Sequence, residues 1–271
     1  MSIVYITGAG VSAESGIPTF RGQDGFWTVG SINYTPQEMA TRDMYQNYPD
    51  EFLLWYFRRF AAYRNVMPND VHHWLSDKRL ITQNIDGLDG KAGNPDYIPI
   101  HGRLDKVTML HQQGELVPLL DAPWEQVVDA CPDLEDDQAV KSALLDAFRI
   151  SKTSLIPEMG HSLKPFVLLF DEYYTDLYRM GEAEQWMGEA TQFVFMGTSF
   201  SVNITNIALR AAIMTGAEID AAYAEAGQYG KWRSDADPET YQYRGDWLQK
   251  SLDLLGKTKT GLYPDSFKNS A

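Results

Sequence analysis

The sequence predicts an α/β protein: a Rossmann-like, doubly wound parallel sheet with a smaller, mainly helical module. Three observations predict it. Short runs of β-formers alternate with stretches of helical periodicity, the pattern of parallel strands joined by crossover helices. The first run leads directly into Gly8-Ala9-Gly10. Polar residues then collect where later runs end, and in an open α/β sheet ligands bind beyond the carboxyl ends of the strands.

Taken in order, Ser2 to Thr7 reads as a short buried strand because Ile3, Val4, Tyr5 and Ile6 favour extended backbone. Val11 to Ser15 reads as the first turn of a helix, and the Gly- and aromatic-rich Phe20 to Gly30 as a loop. Thr35 to Asn65 is helical in pattern, with Phe52, Trp55, Tyr56 and Phe60 in one aromatic stripe that serves a core. A helix within Pro68 to Asp77 starts near Asn69 or Asp70, both good caps. Arg79 to Gln83, Tyr97 to Ile100, Pro165 to Phe170 and Gln192 to Met196 read as further strands, and Asp176 to Glu189 as a helix. Asp121 to Phe148 is acidic and helical in pattern, interrupted by Pro123 and Pro132. The division expected is a nucleotide-binding domain over 1–30, 77–102 and 164–256, the helical part of the small module over 31–76, an acidic segment over 103–163 and a polar tail over 257–271.

Composition narrows the function. With 37 acidic against 23 basic residues the net charge is −14, a surface that repels nucleic acid and anionic lipid. The single cysteine, Cys131, permits no intrachain disulfide and fits a reducing compartment, so a cytoplasmic location is expected. No signal peptide or membrane span is visible. The oligomeric state is not legible.

The chemistry gathers at the motifs. Gly8-Ala9-Gly10-Val11-Ser12-Ala13 satisfies G-x-G-x-x-A directly after a strand, where glycines let a pyrophosphate approach the backbone and the helix start attracts it. The next strand ends in Thr82-Gln83-Asn84 rather than in the acid that holds the adenosine ribose of a dehydrogenase, which disfavours hydride transfer. Gln83, Asn84 and Asp86, then His101, then Thr198 and Ser199 stand at three strand ends. Each has a structural alternative: Asn84 and Asp86 as turn formers, His101 as a satisfied core histidine, Thr198 and Ser199 as caps of a helix beginning near Val202.

The run Gly8-Ala9-Gly10-Val11-Ser12, Ser15-Gly16-Ile17-Pro18, Phe20-Arg21-Gly22 resembles the signature of the sirtuins, the NAD-dependent protein deacylases. Thr82-Gln83-Asn84-Ile85-Asp86-Gly87-Leu88, His101-Gly102, Lys164-Pro165 to Glu172 and Gly197-Thr198-Ser199 follow in family order. Pro68-Asn69 with His72, and Gly245-Asp246, are weaker echoes. The resemblance implies NAD+ as a consumed co-substrate. Gly8, Ala9, Gly10 and Ser12 would face its diphosphate and ribose, and Phe20 and Arg21 would belong to a cofactor loop. Gln83 would touch the nicotinamide ribose, Asn84 and Asp86 would line the nicotinamide pocket, and Gly197, Thr198, Ser199 and Asp220 would hold the adenosine side. His101 would be the general base, and Val167, Phe170 and Asp171 would meet an acyl-lysine peptide. In the family reaction the acyl oxygen attacks the ribose carbon as nicotinamide leaves, and a base then deprotonates a ribose hydroxyl that attacks the acyl carbon. An imidazole titrating near neutrality suits that step.

The chain departs from the family pattern in four places. The stretch from Arg103 to Lys164 lacks the two cysteine pairs that bind zinc and holds only Cys131, so no zinc is expected. A mixed set of Cys131, His111, His161 and an acid is the disfavoured alternative. Asp89 replaces a histidine, Asp171 replaces a glycine on the peptide-binding strand, and Ile219-Asp220 replaces Ile-Asn at the adenosine ribose. The parts that face NAD+ are nearly intact and the parts that face a peptide are altered. Hydrolysis of NAD+ or ADP-ribosyl transfer is therefore the second expectation, and a non-catalytic NAD or ADP-ribose sensor the third.

Overall fold

A computed structural model describes residues 2–19, 34–200 and 202–222. Phe20, Arg21, the Gly245-Asp246 echo and the polar tail lie outside the described residues.

The strands β1 (Ile3–Thr7), β2 (Leu80–Thr82), β3 (Ile98–Pro99), β7 (Gln192–Met196) and β8 (Glu218–Ala222) form one sheet in the order β3-β2-β1-β7-β8. Every pairing in it is parallel. The residue alternation of β1 and β7 explains the two covered faces. Val4, Ile6, Phe193 and Phe195 join an apolar cluster with α8 (Met180–Glu189) and α9 (Asn203–Thr215). Tyr5, Val194 and Met196 point the other way, to Val71 and Leu75 at α4 (Asp70–Trp74). Period-2 alternation with both sides apolar is what a sheet sandwiched between helices requires. From β1 the chain builds outward to β2 and β3, then returns to place β7 on the opposite flank of β1. The crevice between the β1 and β7 ends is thus a topological switch point, the place where such sheets bind ligands.

A second, antiparallel sheet has the order β5-β4-β6, from β4 (Gly102–Met109), β5 (Leu120–Asp121) and β6 (Leu163–Val167). Here the structure corrects the sequence expectation. The pattern predicts Pro165 to Phe170 as a strand of the parallel sheet; the strand is Leu163–Val167 and pairs with β4 instead. The segment from Arg103 onward reads as weakly patterned and mainly helical, yet it begins with the eight-residue β4. Arg103, Asp105 and Lys106 hide that strand, because their charges turn outward into pairs Arg103–Asp105 and Lys106–Asp121.

Thr35 to Asn65 resolves into α1 (Pro36–Met39), α2 (Arg42–Asn47) and α3 (Pro49–Tyr63). Thr35 and Thr41 cap the first two, and Pro49 opens the third at a position where its missing N–H costs nothing. Of the aromatic stripe, Phe52 and Tyr56 are buried core while Trp55 and Phe60 pack against it partly buried; with Phe57 they meet Trp124, Leu144 and Phe148 of α6 (Trp124–Ala130), α7 (Asp137–Ala147) and its end. The same cluster takes in Val107 of β4 and Leu163 and Val167 of β6, so the acidic segment shares one core with residues on either side of it. The expected helix from Asp176 is broken at Arg179, whose φ of +58° separates a short 3-10 turn from α8.

Gly102 sets the position of its neighbour His101. Its φ is +83°, and a Cβ there would stand 2.0 Å from the Phe166 carbonyl oxygen of β6. No side-chain movement relieves a clash with backbone. Gly102→Ala is expected to lower stability by about 2 kcal/mol or more, read as a fall in the thermal midpoint. An unchanged midpoint would contradict the tight β4–β6 approach.

Candidate active site

The carboxyl ends of β1, β2, β3 and β7 converge and are stitched to one another by hydrogen bonds. Gly8 and Gly10 allow the closest approach. A Cβ on either would meet the Gly197 or Thr198 backbone at 2.8–2.9 Å, and the Gly10 N–H donates to the Gly197 carbonyl at 2.9 Å. The sequence expectation gave these glycines to a pyrophosphate; the nearest demand on them is the packing of the β1 turn against the β7 turn. Ala9 opens a 3-10 helix, Ala9–Ser15, where a first helical turn was expected from Val11. Asn69 ties that helix to α4: its oxygen caps Val71 and His72, and its amide donates to the Val11 carbonyl and Ser15.

Ser12, Asn84, Asp86 and His72 form one buried network. The Ser12 hydroxyl donates to Asp86 Oδ2 at 2.6 Å, and Asn84 Nδ2 donates to Ser12 Oγ and to the Gly8 carbonyl, each at 3.1 Å. His72 Nε2 lies 3.4 Å from Ser12 Oγ. Asp86 Oδ1 accepts from the Leu88 N–H, which fixes the turn into α5 (Leu88–Lys91), and Gly87 takes the positive φ of +75° that this turn requires. Burial pushes the Asp86 pKa up and the His72 pKa down to about 4, so His72 is neutral at pH 7. Asn84 Oδ1 is buried and has no partner among the described residues. Leaving a buried amide oxygen unpaired costs stability, so this atom marks where a ligand's donor would sit. The carboxamide of nicotinamide is such a donor, and the site fits NAD+ on this ground.

Behind that network, Thr7 donates to Thr82 Oγ1 at 2.8 Å, the Asn84 N–H donates to the same oxygen at 3.2 Å, and Thr82 hydrogen-bonds Asp89. Asp89, the residue that replaces the family's histidine, is 1% exposed. Its burial, and Asp86 beside it, raise its pKa to about 7. A carboxyl that titrates near 3.8 unfolded and near 7 folded binds its proton more tightly when folded. Its favourable contribution is complete below the unfolded value and is lost as pH rises toward the folded one. Asp89→Asn is therefore expected to stabilise the protein at pH 8 by on the order of 2–4 kcal/mol and to have little effect at pH 4. Equal effects at both pH values, by chemical denaturation, would refute the assignment.

Gln83 bridges β2 and β7: its Nε2 donates to Thr198 Oγ1 at 3.2 Å, and Thr198 also accepts from the Phe200 N–H. The Gln83 carbonyl faces His101 Nδ1 at 3.1 Å. A carbonyl only accepts, so Nδ1 carries the hydrogen and Nε2 holds the lone pair of a neutral imidazole. Burial lowers the His101 pKa to about 4, against the carbonyl bond that raises it. Gly197 has φ of +59° and Ser199 is exposed beside Thr198. Gly8, Ala9, Gly10, Ser12, Gln83, Asn84, Asp86, His101, Gly197, Thr198 and Ser199 thus meet around one crevice.

Asp220 does not join them. It stands opposite Val194 within β8, two residues before the strand ends, and accepts at 2.6 Å from Gln192 at the start of β7. Val167, buried, pairs with Gly102 beside His101, whereas Phe170 and Asp171 are exposed. The added charge of Asp171 is turned away from the strand: its carboxylate accepts from the Arg42 and Asp43 N–H groups at the start of α2, where a helix favours an anion. Glu172 is held by Arg42 and Lys164.

Sequence reasoning missed Tyr174, whose hydroxyl lies 3.0 Å from His101 Nε2. The run Tyr173-Tyr174 is visible in the sequence, but nothing in it says which ring turns to the base. Cys131 is buried in the apolar cluster with α3, and His111 Nδ1 bonds to the Met109 carbonyl. Among the described residues no three His, Cys, Asp or Glu converge to hold a metal. No helix among them is long and apolar enough to cross a membrane.

Comparison with known proteins agrees with this fold. The profile of the Sir2 family matches residues 8–204. An NAD-dependent protein deacetylase of Sulfolobus acidocaldarius is 31% identical over 215 residues, spanning 76% of this chain and 72% of that protein. NAD-dependent protein deacylase 1 of Archaeoglobus fulgidus is 42% identical over 109 residues, 38% of this chain and only 43% of that relative's length. Among solved structures, a point mutant of a Sir2 homologue in complex with ADP-ribose superposes with a TM-score of 0.61 at 23% identity, covering 96% of this chain and 95% of that one.

Proposed function

The chain belongs to the Sir2 family, and from that premise we propose that it is an NAD+-dependent protein lysine deacylase. It would release nicotinamide and transfer the acyl group to ADP-ribose. NAD+ supplies the ribose carbon from which nicotinamide departs. The observation that carries the reading is the pairing of two features: a buried Asn84 amide oxygen with no partner among the described residues, and a neutral His101 whose lone pair sits on Nε2. The first suits a pocket for the nicotinamide carboxamide. The second suits removal of a ribose proton, which binding alone does not need.

Each group has a task at a stated atom. Ser12 and Asn84 hold Asp86 and the β1 turn in register. Gln83 and Thr198 fix the distance between the two halves of the crevice. The Gln83 carbonyl fixes the imidazole tautomer. The segment from Val167, the last residue of β6, to Asp171 lies beside His101, since the Leu168 N–H donates to the His101 carbonyl at 2.9 Å. That supports a reading in which an acyl-lysine binds within reach of the base.

One observation favours a second reading. The Phe170 N–H already donates to the Ala40 carbonyl and the Leu169 N–H to Glu172, so two amides of the segment that would pair with a peptide are taken. Strand addition draws its affinity from such groups. An acceptor other than a peptide, water or a protein side chain, is the alternative. Mass spectrometry of the products separates them. O-acyl-ADP-ribose formed from NAD+ and an acyl-lysine peptide is the expected product. Free ADP-ribose alone, or ADP-ribosylated protein, would replace the first reading by the second.

A further inference from the structure

We propose that Tyr174 is a catalytic residue that relays the ribose proton to His101, so that the base of this enzyme is a tyrosine–histidine pair. The inference rests on the acyl-transfer reading above. The geometry is specific. His101 Nδ1 donates to the Gln83 carbonyl, which leaves Nε2 as the only basic nitrogen, and Nε2 is 3.0 Å from the Tyr174 hydroxyl. An imidazole nitrogen with a lone pair accepts, so the phenol donates to it. The two rings lie nearly parallel, 21° apart with centroids at 5.9 Å, so the contact is held by ring packing as well as by the bond.

The phenol oxygen is anchored from its other side. It accepts a backbone hydrogen bond from Ile204, in the first turn of the thirteen-residue α9. Burial outweighs that bond and raises the Tyr174 pKa to about 12, so the phenol stays protonated and can pass its proton on only as it takes one from the ribose. A phenol oxygen has two lone pairs, and one remains for an incoming hydroxyl. The geometry makes the relay the economical route. While the Tyr174 bond stands, no substrate hydroxyl can reach Nε2 directly.

The step balances. The ribose O–H bond breaks and its proton passes to Tyr174 Oη. The Tyr174 O–H bond breaks and that proton passes to His101 Nε2. The ribose oxygen keeps its electron pair and forms the bond to the acyl carbon, whose C=N π bond opens and sends its pair to the lysine nitrogen. Tyrosine is unchanged overall, and histidine leaves as imidazolium to return the proton later.

The test uses the whole chain with NAD+ and an acetyl-lysine peptide, comparing wild type, Tyr174→Phe and His101→Ala. Two rates are measured: deacylation, and exchange of labelled nicotinamide into NAD+, which precedes the proton transfer. Tyr174→Phe is expected to lower deacylation by about 10²-fold and to leave exchange within about twofold, at an unchanged thermal midpoint. Deacylation equal to or above wild type would overturn the relay, as would a parallel fall in exchange, the mark of a merely structural role. A wild type inactive on peptides would refute the functional reading instead. The geometry is then read by nitrogen NMR of the His101 ring. An Nδ1–H tautomer whose Nε2 signal moves in Tyr174→Phe supports the pair, and an Nε2–H tautomer overturns it.

Discussion

His101→Ala is expected to lower deacylation by about 10²–10⁴-fold while labelled nicotinamide still exchanges into NAD+. The split follows from where the residue sits. His101 lies against the Gln83 carbonyl and Tyr174 and makes no contact with the Ser12–Asn84–Asp86 network among the bonds described. Removing the imidazole takes away the acceptor of the ribose proton and leaves the nicotinamide side intact. The Gln83 carbonyl loses one partner, but the strand pairing that holds it does not change, because the Gln83 N–H still donates to the Thr7 carbonyl at 3.0 Å. A His101→Ala variant with normal deacylation would remove the base from the mechanism.

Asn84→Ala is expected to act earlier and to abolish both rates together, by about 10²–10³-fold each. Asn84 joins two functions in one side chain. Its Nδ2 bridges the Gly8 carbonyl and Ser12 Oγ, and so holds the β1 turn and, through Ser12, Asp86. Its Oδ1 is the buried atom without a partner among the described residues. Truncation removes the group that would receive the nicotinamide amide and loosens Asp86 as well. The contrast between the variants is the informative result: His101→Ala separates exchange from deacylation, and Asn84→Ala does not. An Asn84→Ala variant that exchanges nicotinamide normally would show that the pocket is recognised by other atoms.

The parallel sheet was legible because its strands carry the signal that physics makes strongest. Val4, Tyr5, Ile6, Phe193, Val194 and Phe195 are apolar on both faces and run into glycine turns. The crevice was legible for a related reason: turns at strand ends carry residues that packing does not need, such as Asn84, Asp86 and His101. The antiparallel sheet was not legible. β4 breaks the strand alternation with the adjacent charges Asp105 and Lys106, where its pairing with β6 shifts register, and Lys106 finds its partner Asp121 only through the fold. Asp171 looked like a charge set against a peptide, and only the fold brings the α2 amides to its carboxylate. Asp220 fitted a local pattern, yet strand register places it short of the carboxyl end. Tyr174 is the clearest case, because its meaning depends on His101, 73 residues earlier in the chain.

The central claim is that one crevice cleaves NAD+ in response to an acyl-lysine. Release of nicotinamide from NAD+, followed with and without acyl-lysine peptides of differing chain length, tests it most directly. Release that depends on peptide, and deacylation that disappears in His101→Ala, is the expected result. Equal release with and without peptide would contradict the deacylase reading, and no release under either condition with NAD+ still bound would contradict cleavage itself.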